Sequence, residues 1–346
     1  MFVRHLPDRP ELVEAANAVA TRLLALTDAL PESWGLVLAG SFARGEPCWR
    51  RDLSGGLIQV SDIDLVVIAS AAPDAHHDLI DMAVGLERIG AFTLTPQEYH
   101  EFGSELGYGI KTGMWLGAGP PPVVTPPVPT VADAYESFVG ALLEWFARDS
   151  TSTTAAIVDE PASYDVVMDE YHAHRSILYL LNSAARLYGR HSYHDFEGLD
   201  PDLVGAFRRA LSWRDDPSLR LEDAHDEFLA ALDVGWQAHV RDGRAATFQD
   251  AVTDTERDNR EGSDFVKRLQ RLASMMAAEM VERHRRDPSR PLAVLERDAF
   301  ATLAADWPGE ASVHQVVASR LSPFKDAQIA IKGGRSGPRL EGATDR

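Results

Sequence analysis

Two pairs of small polar and acidic residues lie close together in the stretch 35–70. Gly40-Ser41 follows the apolar run GLVLA, and Asp62 and Asp64 precede the apolar run LVVIA. Each apolar run is predicted to form a β-strand. Because side chains two residues apart in a strand project to the same side, we expect the two carboxylates to lie side by side.

Carboxylates held this close repel each other unless a cation lies between them, and oxygen ligands suit Mg²⁺. Mg²⁺ keeps waters and shares phosphate oxygens, which predicts a nucleoside triphosphate as its other ligand. Gly40 allows a ligand to approach the backbone closely, and Ser41 offers a hydroxyl and an N–H at the start of a predicted helix. The pattern therefore predicts metal-assisted phosphoryl or nucleotidyl transfer.

The arrangement AGSFARGE…SDIDLVVI, in which Ser61 comes directly before the first aspartate, closely resembles the polymerase-beta-like nucleotidyltransferase superfamily. That superfamily includes the antibiotic nucleotidyltransferases and the minimal nucleotidyltransferases. The resemblance covers about a third of the chain. It implies a mixed sheet with flanking helices, Mg²⁺ on Asp62 and Asp64, and triphosphate at Gly40 and Ser41. It also implies a helical second domain that supplies the acceptor pocket.

Two features depart from the family pattern. The segment between Ser41 and Asp62 is longer than usual, and it is expected to form a hairpin at the mouth of the site. Arg44 lies within the family motif, where it is expected to reach phosphates, whereas Arg50 and Arg51 fit a solvated basic patch better. The family also commonly carries a third carboxylate on the next strand, and Gly90 stands at that position.

A general base for the reaction is expected from the helical part of the chain. Glu170 shares one predicted helix face with His174, Ile177 and Leu181, and such a stripe favours a semi-buried position in which the pKa of an acid rises. The alternatives are a solvated glutamate or a partner for His174. Lys111, in a Gly-rich stretch, is a candidate phosphate ligand, with a plain surface lysine as the alternative.

One further motif competes with this interpretation. Arg186 and His191 have the spacing of the ribonuclease motif of HEPN domains, which often accompany minimal nucleotidyltransferases in toxin–antitoxin pairs. The spacing arises easily by chance in a chain with many arginines. Gly189 is also predicted to end the helix before His191.

The elements expected to position these residues alternate between helix and strand. Residues 10–30 predict an amphipathic helix, with the apolar positions Leu12, Ala16, Val19, Leu23 and Leu26 on one side. The strand GLVLAG, a polar loop and the stretch IQVSDIDLVVIAS follow, the last as one long strand or two. A helix ending near Gly90 and a third strand, AFTLT, complete the expected α/β domain over residues 1–118.

A Pro-rich segment, residues 119–130, marks the predicted boundary between domains. Thr130 and Asp133 then predict a capping box at the start of a helix. Residues 131–331 carry apolar positions at helical spacing and are interpreted as an all-α acceptor-binding domain. The tail 332–346 is polar and Gly-rich and is expected to be flexible.

Composition limits the location and partners of the protein. The 346 residues carry a formal charge of −19, which argues against wrapping bare nucleic acid. The single cysteine, Cys48, excludes an internal disulfide framework. The start of the chain lacks the apolar core of a signal peptide, and no apolar run is long enough to span a bilayer. The expected location is the cytoplasm, without membrane association.

The sequence thus predicts transfer of a nucleoside monophosphate, AMP from ATP, onto a hydroxyl of a small molecule such as an aminoglycoside-like antibiotic. Two alternatives remain open at this stage. One is transfer onto protein or tRNA in a toxin–antitoxin context. The other is a lapsed fold that binds nucleotide for regulation, which the missing third carboxylate supports. The acceptor, the preferred base and the oligomeric state are left open.

Overall fold

A computed structural model describes residues 4–5, 9–52, 54–70, 75–83, 85–102, 104–117, 119–128, 130–148, 164–218, 224–242, 264–304 and 312–318. The described chain is a mixed α/β structure with a small sheet and flanking helices, followed by a helical part. The tail expected to be flexible lies outside the described residues. Among the helices that are described, none is long and apolar enough to cross a membrane.

The first part of the chain alternates between helices and strands. Its elements are α1 (Pro10–Ala29), β1 (Gly35–Ala39), α2 (Gly40–Arg44), β2 (Trp49–Arg51), β3 (Leu57–Gln59), β4 (Ile63–Ile68), α3 (Ala75–Met82), β5 (Ile89–Leu94), α4 (Pro96–Glu101), α5 (Ser104–Lys111) and β6 (Met114–Trp115). The main sheet has the order β5-β4-β1-β6. In it β4 runs parallel to β5, and β1 is antiparallel to both of its neighbours.

The two faces of this sheet are covered differently. Ile63, Leu65 and Val67 project to the face covered by α1 and α3, where α1 buries the five apolar residues expected from its sequence. Val66 and Ile68 project to the opposite face and pack against α4 and α5. Because side chains alternate along β4, Asp64 lies on this second face, at the end of the sheet where β4 begins.

The region between residues 57 and 90 decides between two alternatives for one stretch and corrects the expected end of a helix. The stretch 58–70 forms two strands in different sheets, since β3 pairs with β2 and β4 pairs with β1. The helix expected to end near Gly90 stops at Met82, and Gly85 follows with a φ of 80°, which a right-handed helix cannot continue through. Gly90 instead lies within β5.

The Pro-rich segment, described over residues 119–128 and 130, has no regular secondary structure there and leads into the helical part. The predicted capping box is present, with reciprocal bonds between Thr130 and Asp133. The following helices are α6 (Val131–Ala147), α7 (Tyr164–Arg186), α8 (Pro201–Asp215), α9 (Ala224–Asp242), α10 (Asp264–Arg286), α11 (Leu292–Leu303) and α12 (Val313–Ala318). They share one large apolar core, with Phe138, Leu181 and Phe228 fully buried in it.

A second, smaller apolar cluster joins the helical part to the β2–β3 hairpin. Cys48 and Val60 flank this hairpin, and they pack against Met168 and Tyr171 of α7 and Trp213 of α8. The hairpin is therefore one of the elements that attach the sheet part of the chain to α7 and α8.

Candidate active site

The end of β1 and the start of β4 bring Gly40 and Asp64 together. Ala39 pairs with Asp64 in the β1–β4 register, so Gly40 comes directly after the paired position. Gly40 has a φ of 64°, and a Cβ atom added to it would overlap Oδ2 of Asp64. Both the backbone conformation and the close approach therefore require glycine. Ser41 follows at the start of α2 and is half-buried.

Asp64 is an electrostatically unfavourable carboxylate. Burial, and after it the neighbouring charge of Asp62, raises the pKa of Asp64 from 3.8 to about 6, although Arg44 and Arg175 act in the opposite direction. A cation bound here would relieve the repulsion between the two acids.

Asp62 lies just before β4 and is held by two guanidinium groups. Its Oδ1 accepts a hydrogen bond from Arg88 at 2.6 Å, and its Oδ2 lies 3.6 Å from Arg175 of α7. Arg88 immediately precedes β5 and has a φ of 55°, an uncommon value for a residue with a side chain. Arg175 in turn makes two hydrogen bonds to Glu144 of α6, at 2.8 and 3.1 Å. A chain of charges thus runs from the sheet to two helices of the helical part.

The residues present fit Mg²⁺ on chemical grounds. Mg²⁺ is commonly bound by one or two carboxylates together with waters and substrate phosphates. Asp62 and Asp64 supply two carboxylates, and the charge of Asp62 is, after burial, the second cause of the raised pKa of Asp64. Within the described residues no group of three or more His, Cys, Asp or Glu side chains could hold a metal. Phosphates and waters would therefore have to complete the coordination.

The position aligned with the third carboxylate lies beside Asp64. Gly90 pairs with Asp64 in the β4–β5 register, and a Cβ on Gly90 would lie 3.5 Å from Oδ1 of Asp64. A carboxylate at residue 90 would therefore adjoin Asp64, and the chain has glycine there. This glycine needs no positive φ, so backbone strain does not account for it.

Arg44 is the last residue of α2, and it links the candidate phosphate-binding residues Gly40 and Ser41 to the helical part. Its Nε donates to Glu46 at 2.8 Å, and its guanidinium lies 5.5 Å from the ring centre of Tyr193. Burial lowers the pKa of Arg44, but the Glu46 carboxylate, together with Tyr193 and Tyr179, outweighs burial and raises it. The positive charge of Arg44 also favours the ionised form of Asp64. Arg44 is therefore a charged group beside the aspartates, as expected of a phosphate ligand.

Two of the predicted site residues have other roles in the structure. Ser61 is fully buried, and its hydroxyl accepts the N–H of Cys48 at 2.8 Å, so it fixes the base of the β2–β3 hairpin. Lys111 donates its ammonium to the carbonyl of His100 at 2.7 Å on the surface. Neither contact involves the aspartates, which argues against a phosphate-binding role for both.

Glu170 is buried on α7, as its stripe predicts, but on a different side of the helix from Arg175. At about 100° per residue the two positions are separated by about 140° around the helix. Arg175 reaches Asp62, whereas His174, on the stripe of Glu170, bonds to the carbonyl of Ala210 in α8. This placement argues against Glu170 as the general base and corrects the expectation that it faces the aspartates.

The expectation of a solvated basic patch is wrong for Arg50. Its side chain is 2% exposed and donates to the carbonyls of Trp213 and Asp216 at the end of α8. Arg51 is half-buried and pairs with Glu11 of α1 at 3.1 Å. The inserted hairpin therefore binds the helical part and does not offer Arg50 to phosphates.

The ribonuclease-like spacing does not bring its two residues together. Arg186 donates to Ser137 of α6 at 2.6 Å, while the His191 ring stacks on Tyr108 of α5 at 4.1 Å. Gly189 has a φ of 72° and lies after the end of α7, as its sequence predicts. The two side chains therefore have different surroundings.

Sequence reasoning missed Arg88, Arg175 and Glu144. Arg88 adjoins the strand that carries Gly90, but nothing in its local pattern distinguishes it from the other arginines of this Arg-rich chain. Arg175 is five residues from Glu170 on the same helix, and its role depends on how α7 packs against the sheet.

Comparisons with protein-family models, with curated proteins and with solved structures give no significant match to this chain.

Proposed function

We propose that the protein is a magnesium-dependent nucleotidyltransferase that moves a nucleoside monophosphate, AMP from ATP, onto a hydroxyl of a small molecule. The observation that carries this proposal is the close approach of Gly40 to Asp64, beside Asp62, where β1 ends and β4 begins. This arrangement offers a backbone and hydroxyl seat for phosphates directly next to two carboxylates.

The residues of the candidate site would have separate parts in the reaction. Asp62 and Asp64 would hold Mg²⁺, which when bound supplies charge neutralisation for the phosphates and the departing pyrophosphate. Gly40 and Ser41 would orient the triphosphate through the backbone N–H and the hydroxyl, and Arg44 adds a charged donor on the same turn. The acceptor oxygen forms a bond to the α-phosphorus, the bond between the α-phosphorus and the pyrophosphate oxygen breaks, and the hydroxyl proton passes to water.

The acceptor would enter from the side of the helical part. Arg175 of α7 pairs with Asp62 and with Glu144 of α6, so that both helices lie beside Asp62. The chain as a whole carries a charge of −19, which favours cationic acceptors, and aminoglycoside-like molecules belong to that class.

A second candidate function is nucleotide binding without transfer. It is favoured by Gly90 beside Asp64, where a third carboxylate would stand, and by the pairing of Asp62 with Arg88 and Arg175. A protein of this kind would bind ATP and release no pyrophosphate with any acceptor.

Substitution of the aspartates tests the proposed site. Asp62→Ala and Asp64→Ala are each expected to abolish Mg²⁺-dependent pyrophosphate release, because each removes a ligand of the metal. Asp28→Ala, at an exposed position near the end of α1, is the matched control and should retain full activity. Circular dichroism checks that all three variants are folded. Full activity in either site variant would refute the site.

A further inference from the structure

Both oxygens of the Asp62 carboxylate face arginine side chains. Arg88 donates to Oδ1 at 2.6 Å, and a nitrogen of Arg175 lies 3.6 Å from Oδ2. The two arginines come from different parts of the chain, one from the turn before β5 and the other from α7. Their side chains are mostly buried, at 20% and 17% exposure, so that water screens the pairs only partly.

A divalent ion arriving alone would have to compete with these two guanidinium groups. Asp64 is the other carboxylate available to it, and the neighbouring charges of Arg44 and Arg175 also act on Asp64. A guanidinium group beside a carboxylate occupies its oxygens and repels a second cation, so it opposes a bound metal ion. The arrangement therefore weakens binding of Mg²⁺ in the absence of nucleotide.

A triphosphate would reverse this competition. Guanidinium groups bind phosphate and carboxylate oxygens with the same forked geometry, so an arginine can exchange one for the other without losing its hydrogen bonds. Arg175 keeps two bonds to Glu144 and has a third nitrogen directed at Asp62. That third nitrogen can exchange the Asp62 carboxylate for a phosphate oxygen while the other two nitrogens keep their bonds to Glu144.

We propose that Arg88 and Arg175 are triphosphate-binding residues that occupy Asp62 until nucleotide arrives, so that Mg²⁺ enters the site only together with nucleotide. This inference rests on the proposed function and adds to it an order of binding and two specific phosphate ligands. Since Arg175 belongs to α7, bound nucleotide is held by the sheet part and by the helical part together.

A purely structural ion pair is the competing explanation. In that case Arg175 would join α7 to the sheet, and its removal would lower stability without changing the affinity for nucleotide. The two explanations therefore differ in the affinity for the nucleotide analogue, and measuring this affinity does not depend on turnover.

The test uses Arg175→Gln, which removes the charge and keeps a hydrogen-bonding side chain, and Arg88→Asn, because asparagine tolerates the positive φ at that position. Arg285→Gln is the control, since Arg285 pairs with Asp233 at 2.6 Å away from the site. Calorimetry measures the affinity for Mg²⁺ alone, and then the affinity for a non-hydrolysable ATP analogue at saturating Mg²⁺. Thermal unfolding establishes that each variant is folded, and Arg88→Asn carries the test should Arg175→Gln fail to fold.

Both site variants are expected to bind Mg²⁺ alone about tenfold more tightly than the wild type, because a competing cation is gone. They are also expected to bind the nucleotide analogue about 10- to 100-fold more weakly, because a charged donor to phosphate is lost. The control should match the wild type in both affinities. An unchanged affinity for Mg²⁺ alone, or for the analogue, would overturn the proposal. Pyrophosphate release by the wild type is measured separately, so that failure of this inference is distinguishable from failure of the proposed function.

Discussion

At the scale of single residues, Asp62 and Asp64 occupy different electrostatic environments although only one residue separates them in the chain. Asp62 is paired with Arg88 and Arg175. Asp64 is more deeply buried and lies against the close approach of Gly40, and its pKa is raised to about 6. Without metal, one acid is therefore compensated and the other is not.

This difference predicts opposite effects on stability. The folded protein binds a proton at Asp64 more tightly than the unfolded chain does. Its stability therefore falls as the pH rises from about 4 to about 6. Above that range the whole free-energy cost of ionising the Asp64 carboxyl in the folded protein is present. Asp64→Asn should therefore raise the free energy of unfolding at pH 7.5, in metal-free buffer, by at most about 3 kcal/mol. The gain should vanish near pH 4. Urea denaturation at the two pH values measures this.

Asp62→Asn serves as the matched comparison in the same experiment. It removes the carboxylate that Arg88 and Arg175 share, and it is expected to lower the free energy of unfolding at pH 7.5 by up to about 1 kcal/mol, since the pair is partly exposed. A loss of stability in Asp64→Asn at pH 7.5 would contradict the account of the two environments.

Gly90 offers a direct test of the missing carboxylate. A Cβ at this exposed position meets Asp64 at an ordinary contact distance of 3.5 Å, so an aspartate fits there. Gly90→Asp should raise the affinity for Mg²⁺ alone by about tenfold or more, because it adds a third negative ligand. Gly90→Asn adds the same volume without the charge and should have little effect. Equal Mg²⁺ affinities in the two variants, measured by calorimetry, would show that residue 90 does not adjoin the metal site.

At the scale of elements, the β2–β3 hairpin contacts the end of α8 and so helps to attach the sheet part to the helical part. Arg50 inserts into the end of α8, where its guanidinium lies 3.6 Å from the ring centre of Trp213 and donates to two carbonyls. The backbone N–H of Arg51 also donates to the carbonyl of Pro217 at 2.9 Å. These contacts satisfy carbonyl groups that a helix end leaves without partners.

Adjacent arginines of this hairpin provide a matched pair for measuring the attachment. Arg50→Met removes two charge-assisted hydrogen bonds in a buried position and is expected to lower the free energy of unfolding by about 2–4 kcal/mol. Arg51→Met removes a half-exposed pair with Glu11 and should cost much less, because water screens that pair. Chemical denaturation of both variants measures the two values. Equal costs would contradict the role given to Arg50.

Local pattern predicted the elements whose residues repeat with a clear period. The α1 stripe, β1 and the capping box at Thr130 follow from spacing alone. The position of Gly90 beside Asp64 followed from the family resemblance. Contacts between distant parts of the chain could not be predicted this way. Arg175 and Arg50 carry no local signal, because their roles depend on where α7 and α8 dock.

At the scale of the whole molecule, buried polar contacts join the sheet part to the helical part. Glu46, at 2% exposure, accepts hydrogen bonds from the hydroxyl of Ser192 and, at 3.0 Å, from the backbone N–H of Tyr193. The guanidinium group of Arg214 of α8 donates to the backbone carbonyl of Glu46. Burial opposes ionisation of Glu46, but Arg44 and these donors outweigh it and lower its pKa. The site at Asp62 therefore lies where two attached parts of the molecule meet.

The central claim is transfer of a nucleoside monophosphate, and the most direct test follows the phosphates of ATP. The purified protein is incubated with Mg²⁺ and ATP labelled at either the α- or the γ-phosphate, with a panel of cationic and neutral hydroxyl-bearing small molecules. We predict that the α-label appears on an acceptor while the γ-label leaves as pyrophosphate, and that Asp64→Ala abolishes both. Bound ATP that releases no pyrophosphate with any acceptor, or a γ-label released as orthophosphate, would contradict the claim.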